Sequence, residues 1–213
     1  MSAKDIEINS IDFLLTYEPS FLFGIESTLD MEKSLDDIFI DKGFCLRLIS
    51  DGEMPKEIWG CAQMDLKIIN IRESDYNNCA DNGLARMSIA HEIGHARLQS
   101  TQICETHTAY RFAGHAIPRY MNSEWQANVW GSATLMPYPR VLRLAERMKE
   151  KSKTRVISEM TKVFAVTKAA AKVRLETLLR YKDDGRSEAI ERTCDKGSDI
   201  RKSTSCCWRN DWC

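Results

Sequence analysis

The sequence predicts an α+β fold: a small antiparallel sheet packed on a helical core, followed by a helical C-terminal segment. Three observations predict it. Short strand-like apolar runs cluster between Phe39 and Ile71. Two longer segments, 84–100 and 122–135, carry helical rather than alternating periodicity. A further helical pattern runs from Val141 to Tyr181, with a break near Ser152–Thr154.

Taken in order, residues 5–35 read as helical or irregular, with Ile6, Ile11, Leu14 and Leu15 as an apolar patch. Phe39 with Phe44–Ile49, then Ile58–Met64, then Leu66–Ile71 read as strands. Asp51-Gly52 supplies turn chemistry after the first run. Only Asp65 separates the second run from the third, which fits a tight hairpin or one bent strand. Asp81-Asn82-Gly83 is a turn and cap leading into a helix over Leu84–Ser100. On that helix Ile89 and Ala96 oppose the histidines, and Arg86 and Arg97 share a strip expected to be its wet edge. Asn122 or Ser123 caps a second helix, which Met136-Pro137 closes. Thr167 caps a last helix over Lys168–Arg180.

This punctuation divides the chain into a main domain over 1–137, a helical segment over 138–183, and a polar, Cys-containing tail over 184–213 expected to be flexible. The net charge of −1 offers no global attraction to nucleic acid or membrane. The N-terminus lacks the basic-then-apolar pattern of a secretory signal, and no run reaches the ~20 apolar residues of a membrane span. A cytoplasmic protein is expected. Of the eight cysteines, Cys45, Cys61, Cys79 and Cys104 read as buried thiols, while Cys194, Cys206, Cys207 and Cys213 crowd the tail. No CxxC occurs, so neither a disulfide framework nor a structural zinc site in the tail is expected.

The chemistry concentrates in His91-Glu92-Ile93-Gly94-His95, an HExxH motif on a predicted helix. Residues four apart share a helix face, so both imidazoles can reach one metal ion. Glu92 beside them can take a proton from a metal-bound water, as zinc peptidases require. A catalytic zinc takes three protein ligands and keeps one open position. The extended motif with a third His fails, because Leu98 and Thr101 hold its Gly and His positions. Glu124 is the chosen third ligand, since it starts a helix whose polar stripe includes Asn128; His107 and His115 are rivals, with Cys104 and Glu105 behind them. Asn128 is read as orienting Glu124. His107, His115, Tyr76, Tyr110 and Tyr120 are candidate oxyanion donors. Two His and a carboxylate suit zinc, and also manganese or iron.

The segments LKIINI, RMSIAHEIGHARL and EWQANVWGSATLMP resemble the ImmA/IrrE family of cytoplasmic metallopeptidases. Ser88, Ala90, His91, Glu92 and His95 match the family's first helix motif. Glu124, Ala127, Asn128, Trp130 and Leu135-Met136-Pro137 match the second, and Phe164–Lys168 with Ala170 and Arg174-Leu175 resembles its ending. The resemblance implies a zincin-like core, zinc held by His91, His95 and Glu124, and Glu92 as the catalytic residue. It also implies the substrate. Family members cleave helix-turn-helix repressors encoded beside them and so switch on a mobile element or stress regulon. The alternatives are a non-proteolytic binding module on the same fold, and a DNA-binding regulator using residues 154–181. In the latter Lys162, Lys168, Lys172 and Arg174 would supply charge, but a solvated basic face is the preferred reading.

Overall fold

The computed structural model describes residues 1–24, 28–55, 58–99, 122–183 and 185–196. The chain opens with α1 (Ala3–Tyr17), α2 (Pro19–Phe23) and α3 (Met31–Lys42). A capping box between Ser2 and Asp5 starts α1, and Asp30 caps α3 by accepting from the Lys33 N–H. Gly43, at φ 74°, stops α3 in the left-handed conformation that suits glycine. Ile6, Ile11, Phe13 and Leu14 of α1 are buried, and the Phe13 ring meets Trp130 edge-on with centroids 5.4 Å apart.

Strands β1 (Cys45–Ile49), β2 (Gly60–Gln63) and β3 (Ile68–Arg72) form the sheet, in the order β1-β3-β2. The α+β class is as expected, but the sheet is mixed rather than antiparallel. β2 and β3 make the antiparallel hairpin, pairing Gly60 with Ile71, whereas β1 runs parallel to β3, pairing Cys45 with Ile68. The chain passes from β1 across β3 to the far edge before turning back, so the last strand becomes central. Ile69 and Ile71 of that central strand are fully buried. Phe39, read from sequence as strand, belongs to α3 and is exposed.

α4 (Glu73–Asn77) leads to α5 (Gly83–Gln99), which packs most heavily against α6 (Ser123–Leu135). Two glycines permit the approach. A Cβ on Gly94 would meet the Ala127 carbonyl at 3.0 Å, and one on Gly131 would meet Ala90 backbone at 3.1 Å. Arg86 and Arg97 are not a wet edge. Arg86 is buried and donates to the Cys79 and Leu29 carbonyls; Arg97 pairs with Asp41 and donates to Asn9. Carbonyls and carboxylates from other elements meet these guanidiniums, which helix periodicity alone cannot foresee. Asn9 also accepts from the Trp130 indole at 2.9 Å, tying α1, α5 and α6 together.

α7 (Tyr138–Arg147), α8 (Lys153–Phe164) and α9 (Lys168–Asp183) follow. Thr167 caps α9 by accepting from the Ala170 N–H. Arg174 of α9, read above as part of a basic face, is buried: it donates to the Met136 carbonyl and forms a two-pronged pair with Glu7. One apolar core runs from Ile6 of α1 to Cys194. The expectation of a flexible tail from 184 fails at its start. Residues 187–196 form a helix, α10, because Ile190 and Cys194 are buried and the Tyr138 hydroxyl donates to Glu191 at 2.7 Å. Cys206, Cys207 and Cys213 lie outside the described residues. Cys79 is buried as expected, but Cys45 and Cys61 are exposed because their strands flank the sheet, and Cys104 lies outside the described residues. No described helix is long and apolar enough to cross a membrane.

Candidate metal centre

The site forms where α5 meets the start of α6. Asn82 opens α5, its side chain accepting from the Leu84 N–H at 2.9 Å. Two turns later the HExxH spacing puts His91 and His95 on one face. Asn122 caps α6 by accepting from the Trp125 N–H, which sets Glu124 in the first turn, beside the histidines.

The three side chains converge. His91 Nε2 and His95 Nε2 are 2.9 Å apart, and the Glu124 carboxylate oxygens lie 3.2 and 3.4 Å from them. Among the described residues this is the one group of three or more His, Cys, Asp or Glu whose ligand atoms gather within 4.8 Å. Metal–nitrogen bonds near 2.0–2.1 Å at tetrahedral angles imply ligand atoms about 3.3 Å apart. The two nitrogen–oxygen spacings match that geometry, and the two nitrogens stand closer together than it requires.

The ring tautomers follow from the other side of each imidazole. His91 Nδ1 lies 3.2 Å from Asn128 Oδ1, while the Asn128 amide NH2 donates to the Glu124 carbonyl. His95 Nδ1 lies 2.6 Å from Gln99 Oε1, while the Gln99 NH2 donates to the Ser123 carbonyl. With both amide NH2 groups spent on main-chain carbonyls, each amide oxygen faces a ring nitrogen and must accept from it. Both Nδ1 atoms therefore carry the proton, and both Nε2 lone pairs face each other and a carboxylate. Such a donor set repels itself until a cation sits within it, so these residues fit a divalent metal.

The charges agree. Where a proton rather than a cation sits on the Nε2 atoms, the hydrogen bonds that His91 and His95 then donate hold the Glu124 carboxyl well below the usual carboxylate range. Burial alone would lower the pKa of His95, but its bonds to Glu124 and Gln99 outweigh that and raise it. Glu92 is buried beside the pair, and burial raises its pKa against the pull of both histidines and of the Ala62 N–H. β2 lies directly over it: a Cβ on Gly60 would stand 2.8 Å from Glu92 Cγ.

Some expectations shift. Asn128 braces the His91 ring and the Glu124 main chain rather than the Glu124 carboxylate. Gln99, passed over in the sequence, makes the equivalent contact to His95; its place four residues after His95 was the available signal. Cys61 of β2 also borders the centre, its thiol pKa raised by burial and then by the Glu92 and Glu124 carboxylates. Tyr76 sits on α4, where burial and the nearby Glu32, Cys79 and Asp36 raise its pKa. His107, His115, Tyr110, Tyr120 and Glu105 lie outside the described residues.

Among curated proteins no sequence matches the chain as a relative. The family model described as the IrrE N-terminal-like domain, a peptidase family, matches residues 76–176. That stretch contains α5, α6, the HExxH motif and most of the C-terminal helices. Residues 76–176, which carry the whole His91–His95–Glu124 cluster, thus match the IrrE N-terminal-like peptidase domain, consistent with a metallopeptidase of the ImmA/IrrE family.

Proposed function

We propose that the chain is a zinc-dependent endopeptidase that cleaves a repressor-type, helix-turn-helix transcriptional regulator in the cytoplasm. The observation that supports this reading is the convergence of two imidazole Nε2 atoms and the Glu124 carboxylate next to a buried Glu92. His91, His95 and Glu124 would hold the metal, and Asn128 and Gln99 fix the rings that would bind it. The bound ion, zinc or else manganese or iron, supplies Lewis acidity and brings the pKa of water near neutrality.

The remaining work falls to the chain. Glu92 accepts the proton of the attacking water and returns it to the leaving amine. Its burial favours the protonated state between those events. The Ala62 N–H holds the carboxylate in place. β2 is an edge strand, and among the described residues nothing pairs with its outer side. That edge offers main-chain donors and acceptors to an extended peptide directly above Glu92. The choice of a repressor as substrate rests on the family resemblance.

The test is metal content by elemental mass spectrometry, in parallel for the unaltered protein and Glu124→Ala. About one zinc per chain, lost in the variant, is the expected result. A protein that takes up no divalent metal after zinc addition would defeat the reading. Gln99→Leu provides a finer check: zinc affinity should fall about 10–100-fold with helical content unchanged by circular dichroism.

A further inference from the structure

We propose that Gly60 is a positioning residue for Glu92: by carrying no side chain it lets β2 settle over the Glu92 methylenes and hold the carboxylate in place. The proposal rests on the peptidase reading above and deepens it, naming a residue that acts through the proposed base rather than on substrate or metal.

A glycine inside a strand weakens it, and marks either a special backbone geometry or a close approach. Backbone geometry is not the reason here. The described glycines with positive φ are Gly43 and Gly185, not Gly60. Close approach is the reason. A Cβ on Gly60 would stand 2.8 Å from Glu92 Cγ, well inside the separation of about 3.5–4.0 Å at which carbons pack. Its next neighbours would be Ile71 Cδ1 at 3.1 Å and the Asn70 carbonyl oxygen at 3.3 Å, overlaps that a few tenths of an ångström relieve. Gly83, Gly94 and Gly131 have backbone atoms as nearest neighbours, so they dock one element on another; Gly60 makes room for a side chain of the site.

Glu92 cannot step aside without losing its aim, because its side chain is tied at both ends. Its Cα belongs to α5, and its carboxylate accepts from the Ala62 N–H. The strand pairing explains why that N–H is available. The Arg72 N–H donates to the Trp59 carbonyl, so this pair and, two residues on, Cys61 with Asn70 exchange the ladder bonds. Gly60 and Ala62 alternate with them and turn their N–H groups to the free edge, away from β3. The Ala62 N–H thus meets Glu92 instead of a neighbouring strand.

Gly60 and Ala62 lie on the sheet face that also carries their cross-strand partners Ile71 and Ile69, both fully buried. Two small residues at alternate positions bring that face close enough to grip Glu92 twice, with Cγ packed under Gly60 and the carboxylate bonded to Ala62. An alanine at position 60 forces one of two movements. Either Glu92 rotates out from under β2, or β2 lifts from α5. Both break the bond to Ala62 and shift the carboxylate relative to His91, His95 and Glu124. A displacement on the order of 1 Å at a reacting group costs about 10²-fold in rate.

The test is amide hydrogen exchange, read by NMR on the full-length zinc-loaded protein and on Gly60→Ala, with zinc content measured on the same samples. The Ala62 amide should exchange at least about tenfold faster in the variant, as it should in Glu92→Ala, because its charged acceptor is gone. The Cys61 and Gln63 amides, paired to β3, should keep their protection, and zinc should stay at about one per chain. Unchanged exchange at Ala62 would overturn the assignment. Equal loss of protection at Cys61 and Gln63 would also overturn it, because Gly60 would then serve the sheet and not Glu92. If Gly60→Ala does not fold, the same substitution in Glu92→Ala decides the matter. With Cγ removed the overlap is gone, so the double variant should match Glu92→Ala in urea midpoint; a double variant that also fails to fold would overturn the proposal. An unaltered protein that binds no zinc would overturn the peptidase reading, whereas a failed exchange result with zinc bound overturns only the role of Gly60.

Discussion

Glu92→Gln is expected to lower cleavage of the substrate by about 10²–10⁴-fold while zinc content stays at one per chain. Glutamine has the same shape as glutamate, and its carbonyl oxygen can still accept from the Ala62 N–H, so the side chain should keep its place under β2. What it loses is the ability to take a proton. Glu92 is not among the three converging ligand groups, so metal binding should not depend on its charge. The measurement pairs elemental analysis with a gel-based cleavage assay on a co-expressed candidate repressor. Cleavage at the unaltered rate by the variant would remove Glu92 from the chemistry. Loss of zinc together with cleavage would instead assign it a role in holding the metal.

A second large effect should appear far from the metal. Glu7→Ala is expected to destabilise the fold by about 3–5 kcal/mol, read as a lower urea midpoint. Glu7 and Arg174 are both almost fully buried, and their pair joins α1 to α9. Removing the carboxylate strands a guanidinium in the interior beside the Met136 carbonyl, with no counter-charge from Glu7. Replacing both partners, as in Glu7→Leu with Arg174→Met, should recover much of the loss, since an apolar pair has no charge to desolvate. A Glu7→Ala midpoint equal to that of the unaltered protein would show that this pair does not hold the C-terminal helices to the core.

These two residues differ in how they could be read. Glu92 was legible because its role depends on the residue before it and the one three beyond, within one helix. The same holds for the Asn122 and Thr167 caps and for the burial of Ile89 and Ala96. Gln99 was legible in principle, since it contacts His95 one turn away, but the HExxH pattern does not extend to it. Glu7 carries no such local signal. A Glu in the first helix looks solvated until Arg174, 167 residues later, is brought against it. The sheet misled for a related reason: apolar runs mark strands, but strand order depends on where the connections pass.

The sequence by itself determined that one helix presents His91, Glu92 and His95 to a common point, and that the resemblance names Glu124 beside them. Helix geometry is local, so spacing suffices. Only the tertiary structure decided that the Glu124 carboxylate reaches both imidazoles, that Asn128 and Gln99 turn their ring nitrogens, and that β2 closes over Glu92. It alone placed α9 against α6. Those features are contacts between elements, set by how glycine-lined helices approach and by which buried charges find partners, and no period along the chain encodes them.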